Sequence, residues 1–166
     1  MSPVSHGTSE SRGEDRRLIR FEPHLPCSYE GLWPALTTAD GLRRWLGEAE
    51  VLERHLDGAV TLRPLDGGPA ASGRITAWDV ERVVEYTLGG LGRIRFHLEP
   101  VGTDSTVIRF LNEREGPGAD PPGVLADWHQ HFELLESALT GPGGTWTEGR
   151  RAELRESYAR PFTRRA

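Results

Sequence analysis

The chain of 166 residues predicts an α+β fold in which a seven-stranded antiparallel sheet curls around one long C-terminal helix. Three observations lead there. Residues 121–141, PPGVLADWHQHFELLESALTG, open on two prolines, end at Gly141 before Pro142, and carry a helical hydrophobic period, which makes one amphipathic helix of about five turns. Residues 49–112 change to short runs of β-type residues broken by turn signals, with no helix among them, the pattern of an antiparallel meander. Within that stretch Ile94, Phe96 and Leu98 alternate with Arg93, Arg95, His97 and Glu99, so one sheet face is covered and the other is wet.

Residues 1–16 are rich in Ser, Gly, Glu and Arg and bury too little to offset their ordering entropy, so a disordered leader is expected there. The domain itself is expected over 17–142. Its first strand, 18–25, places Ile19, Phe21 and Leu25 on one face and Arg20, Glu22 and His24 on the other, and Pro26 ends it. Ser28 then caps a short helix carrying Leu32, Trp33 and Leu36, and Thr38 caps a second that holds Leu42, Trp45 and Leu46. Six strands follow at 49–54, 59–63, 72–78, 82–88, 93–99 and 105–112, punctuated by Asp57-Gly58, Gly67-Gly68, Gly89-Gly90 and Gly102. On the long helix Val124, Trp128, Leu135 and Leu139 form a narrow stripe that Leu125, Phe132, Leu134 and Ala138 widen. Pro122 suits the first turn, and Gly141 suits a left-handed C-terminal cap. The tail, 143–166, offers one more short helix, capped by Thr147, with Leu154 and Tyr158 as a sparse apolar edge.

The formal charge of −5 is unevenly spread. The last 24 residues hold six Arg against three acids, which leaves −8 on the first 142. An acidic body lacks the clustered basic face that nucleic acid requires. The Arg-rich tail is suited to lie on that acidic body or on a second subunit of a homodimer, or to stay exposed. With Cys27 as the lone cysteine there is no disulfide framework and no thiolate zinc site. No signal peptide and no apolar run of 18 residues occurs, so a soluble cytoplasmic protein without a membrane span is expected.

Trp33-Pro34-Ala35-Leu36 followed by Thr37, Thr38, Leu42 and Trp45 is similar to the opening of the activator of heat-shock protein 90 ATPase branch of the START-like, helix-grip superfamily, with Pro34 inserted between Trp33 and Ala35. Gly73 to Tyr86 resembles that branch's paired central strands. Trp128, His129, Phe132, Leu135, Leu139 and Gly141 resemble its terminal helix, and the resemblance runs from about Leu18 to Gly141. Two departures stand out, since the branch usually has Gly at the position of Asp127 and commonly Trp at that of Leu88. The resemblance implies the helix-grip fold and a hydrophobic cavity. It leaves activity open, because the superfamily includes lipid carriers, hormone receptors, aromatic cyclases and co-chaperone domains.

Candidate chemistry is sparse. Asp127 and His131 lie at i and i+4 on the flank of the helix stripe, a spacing that suits a carboxylate orienting a general base as well as a plain surface pair. Tyr86 and His97 form a second acid–base candidate. His129 and His131, two apart on a helix, point about 200° from each other and cannot share an ion, and His6, His24, His55 and His97 fall in unrelated segments; no metal site and no cofactor is expected. Gly89-Gly90-Leu91-Gly92 lacks the Lys and helix of a phosphate loop and is read as a hairpin turn. Trp45, Trp78, Tyr86, Phe96, Trp128, His131 and Phe132 are the candidate lining of a pocket for an apolar or aromatic small molecule, or else core. Three functions follow as expectations: a small-molecule-binding domain, a cyclase or lyase acting on a polyketide-like substrate, and a co-chaperone-like interaction domain.

Overall fold

The computed structural model describes residues 4–13, 15–115 and 120–160. Along the chain run β1 (Thr8–Ser11), β2 (Arg16–Phe21), β3 (His24–Leu25), α1 (Tyr29–Thr37), α2 (Ala39–Arg43), β4 (Gly47–Leu52), β5 (Ala59–Pro64), β6 (Ala71–Asp79), β7 (Val83–Leu88), β8 (Gly92–Pro100), β9 (Thr106–Glu115), α3 (Pro121–Thr140) and α4 (Glu148–Ala159). All strand pairs are antiparallel, in the order β1-β2-β9-β8-β7-β6-β5-β4, with β3 beside β9. The helix-grip architecture stands, with nine strands among the described residues where seven were expected: the first strand divides into β2 and β3, and β1 is added from the leader.

That leader is the first correction. Far from lying outside the fold, Thr8–Ser11 pairs with β2 from Thr8↔Arg20 to Ser11↔Arg17, Val4 is buried, and the Gly7 N–H donates to the Tyr158 hydroxyl at 2.9 Å. Backbone pairing carries this segment where its few apolar side chains would not. Both short helices are capped as expected, Ser28 Oγ accepting from Gly31 N–H and Thr38 Oγ1 from Gly41 N–H.

Register lines up two rows across the inner sheet face. Phe21, Phe110, Phe96 and Val84 are cross-strand partners in one; Ile19, Asn112, Ile94, Tyr86 and Ile75 form the next. Helix α3 lies over these rows through Trp128, Phe132 and Leu135, all buried, while Val124 and Leu139, expected in the stripe, are only half-buried. Gly141 also departs from expectation, since its backbone is extended, and the left-handed glycine of this linker is Gly143, at φ +92°. Helix α4, capped by Thr147 Oγ1 accepting from Arg150 N–H, docks antiparallel-fashion onto the far side of α3 and buries His129 and Gln130 there. Three ion pairs hold it, Arg150–Glu133, Arg151–Asp127 and Arg155–Asp120, so the described part of the Arg-rich tail lies on its own acidic body, and Arg164 and Arg165 fall outside the described residues.

Candidate functional site

Most of the expected cavity lining is close-packed core. Trp45 stacks on Phe132 at 5.9 Å between ring centroids, Phe110 sits 5.0 Å from Phe132 and 4.6 Å from Trp128, and Phe96 sits 5.2 Å from Phe110. These rings fill the space between α3 and the sheet. Trp45 and Tyr86, with Arg54 beside them, are also committed to the end of α1, whose last carbonyls lack partners within the helix. Trp45 Nε1–H donates to Ala35 O at 2.8 Å, the Tyr86 hydroxyl to Leu36 O at 2.6 Å, and Arg54 Nε–H to Thr37 O at 2.8 Å. Burial pushes the Tyr86 phenol upward, against the pull of Arg54. Trp78 belongs to a separate contact, 5.2 Å from Trp33 with Arg54 over its ring.

Trp128 and His131 alone of that set reach a small opening, about 30 Å³, at the N-terminal half of α3. Leu62, Pro64 and Leu91 rim it, and Asp66, Arg114, Asp127 and His131 bring polar atoms to it. Asn112, wholly buried, organises this niche. Its Nδ2 donates to Leu91 O and Arg93 O, both at 2.9 Å, and Oδ1 accepts from Trp128 Nε1 at 3.0 Å and Arg114 Nε at 2.8 Å. All four capacities of the amide are thereby used. Desolvation lowers the pKa of the Arg114 guanidinium, opposed by the charges of Asp127 and Asp66. Among the described residues its only hydrogen bond is the one to Asn112.

Asp127 and His131 do not form the candidate dyad. Asp127 Oδ1 accepts from Arg151 Nε at 2.6 Å, while His131 Nδ1–H donates to Trp45 O at 2.8 Å and its Nε2 lies 3.8 Å from Asp66 Oδ2. Burial pushes the Asp127 carboxyl up, with Arg151 opposing; Asp66 is held below the usual carboxylate range by His131, against desolvation. Tyr86 and His97 fail as a pair because they face opposite sides of the sheet, one buried and one exposed. His129 turns away from His131 toward α4, its Nδ1 2.7 Å from the Tyr158 hydroxyl and its Nε2 3.5 Å from Glu133. No group of three His, Cys, Asp or Glu with metal-binding geometry occurs among the described residues, and no described helix is long and apolar enough to cross a membrane.

Asp66, Arg114 and Asn112 were not anticipated. Asp66 sits in a stretch read only as a turn, and Arg114 lies beyond the expected end of its strand at 112. Period-two continuation from Ile108 and Phe110 was the available signal for Asn112 and Arg114.

A family model described as Activator of Hsp90 ATPase homolog 1-like protein matches residues 26–140. No curated relative matches the sequence. Among solved structures the chain is similar to a conserved protein of unknown function, EF2215 from Enterococcus faecalis, with TM-score 0.75 and 17% identity over 92% of this chain and 87% of that one. CalU16 from Micromonospora echinospora gives TM-score 0.72 and 17% identity over 95% and 97% of the two chains. The Aha1 dimer from Colwellia psychrerythraea gives 0.62 and 22% over 76% and 98%.

Proposed function

The chain belongs to the Activator of Hsp90 ATPase homolog 1-like family, and on that premise we propose that it binds an apolar or aromatic small molecule, in the cytoplasm, at the mouth between α3 and the sheet. One observation carries this reading: apolar side chains and desolvated polar groups converge at the niche, the combination by which small-molecule sites are recognised. The packed interior leaves no room for a ring, so the apolar body of the ligand lies at the rim, across the half-buried Pro64 and Leu91. A surface groove of about 460 Å³ is lined by Leu65 and Trp146 together with Arg43, Arg44 and Pro142. Trp146 lies 4.8 Å from the ring of His131, which lines the niche, so groove and niche are neighbours.

A second reading, an interaction domain that uses an outer surface, is favoured by the same packed interior. The enzyme reading loses both of its candidate pairs, since Asp127 is bound by Arg151 rather than His131 and Tyr86 and His97 lie on opposite sheet faces. Titration with planar apolar compounds, followed by tryptophan fluorescence and melting temperature, separates the first two. A ligand at the rim changes the emission of Trp128 or Trp146 and raises the melting temperature by mass action. No response across a panel of such compounds would leave the interaction domain standing.

A further inference from the structure

We infer that the ligand taken by this mouth is a carboxylate, read end-on by Arg114. The inference rests on the ligand-binding reading and names the chemistry of the bound group. Asn112 has its amide fixed by the Leu91 and Arg93 carbonyls, so its Oδ1 pins one edge of the Arg114 guanidinium through Nε. The two terminal nitrogens remain without a hydrogen-bond partner among the described residues, although Arg114 lines the niche and is half-buried. A guanidinium held on one edge presents its other donors as a rigid fork, which matches the two oxygens of a carboxylate.

The other charged groups at the niche are already engaged. Asp127 is neutralised by Arg151, and Asp66 accepts from Gly68 N–H at 2.9 Å and faces His131. Size agrees as well, because about 30 Å³ holds roughly two water-sized groups, enough for two carboxylate oxygens and too little for a ring. The acid group therefore enters the niche while the apolar body stays on the leucine and proline rim.

Comparing 2-naphthoate with its neutral counterpart 2-naphthamide tests this. The wild-type protein is expected to bind the naphthoate more tightly by roughly 10- to 100-fold, the range of a charge-assisted bidentate contact. In Arg114→Gln that preference collapses toward unity while affinity for the naphthamide is kept, and in Arg114→Lys, which retains charge without the fork, it falls between. Equal affinity of the wild type for both compounds would overturn the carboxylate inference and leave the ligand-binding reading intact. A preference that survives in Arg114→Gln overturns Arg114 as the reader, and binding of neither compound overturns the carboxylate inference, with the ligand-binding reading falling as well if the wider panel is silent. If Arg114→Gln fails to fold, the wild-type comparison still decides the carboxylate preference and Arg114→Lys still decides whether Arg114 reads it.

Discussion

Helix α3 is buried on two sides by different means. Toward the sheet it presents Trp128, Phe132 and Leu135 to a stack of rings; toward α4 it presents Asp127, His129, Gln130 and Glu133 to arginines, a tyrosine and backbone amides. Dispersion and the hydrophobic effect act on the first side and are insensitive to pH and to charge screening. Charge and hydrogen bonds act on the second, which responds to both. The niche lies at the seam, where Trp128 belongs to one side, Asp127 to the other, and His131 bridges from helix to Trp45. A helix clamped in this way holds its seam residues still without filling the space between them.

The largest effect should come from the sheet side. Trp128→Ala removes a buried indole and its bond to Asn112, and should cost about 3–5 kcal/mol in denaturant unfolding, the usual range for large aromatic truncation in a core. A cost below about 1 kcal/mol would mean that the stack relaxes around the loss, and the contrast between the two sides would disappear.

Reading the sequence reached the sheet side far better than the α4 side, for a physical reason. Apolar periodicity reports a covering layer, and Trp128, Phe132 and the alternation around Phe96 announced one. The second layer is polar, so His129, Gln130 and Glu133 carry no apolar period that would announce it, and the charge imbalance of the tail was the signal that Arg150 and Arg151 would cover it. Backbone pairing hid the leader in the same way, since Thr8–Ser11 joins the sheet through hydrogen bonds that side-chain composition does not report. At the candidate site Trp128 and His131 were legible. Trp45 and Tyr86 take the core alternative, which sequence could not separate from the pocket one because an aromatic side chain whose polar atom caps a helix carbonyl has the same signature as one that faces a ligand.

The α4 side should show an intermediate, pH-dependent effect. Burial pushes the Glu133 carboxyl up, but Arg150 and His129 outweigh it and bring its pKa down to about 2. A depressed carboxylate contributes stability that is fully present above its unfolded value, near 4, and is lost as pH falls toward 2. Because Arg150 stays 39% exposed, screening discounts the pair, and Glu133→Gln should cost about 1–2 kcal/mol at neutral pH. The gap between wild type and variant should close in urea unfolding between about pH 4 and pH 2. A gap that persists unchanged at pH 2 would show that Glu133 acts by packing, as the sheet side does.

The smallest change in stability is expected at the seam. Asp66 lies at 3.8 Å from His131 Nε2 with a quarter of its side chain exposed, so Asp66→Asn should shift stability by only roughly 0.2–1 kcal/mol. His131, together with Gly68 N–H, holds its carboxyl below the usual range, so what it contributes is present at neutral pH and fades as the solution is acidified through that lowered value. Its effect on ligand should run the other way. The Asp66 carboxylate shares the niche with Arg114 and would repel an incoming acid, so removing its charge should tighten 2-naphthoate by roughly two- to fivefold and leave 2-naphthamide unchanged. Weaker naphthoate binding in Asp66→Asn would instead make Asp66 a support for the guanidinium, and would tie the seam to the charged side of α3 more closely than its geometry indicates.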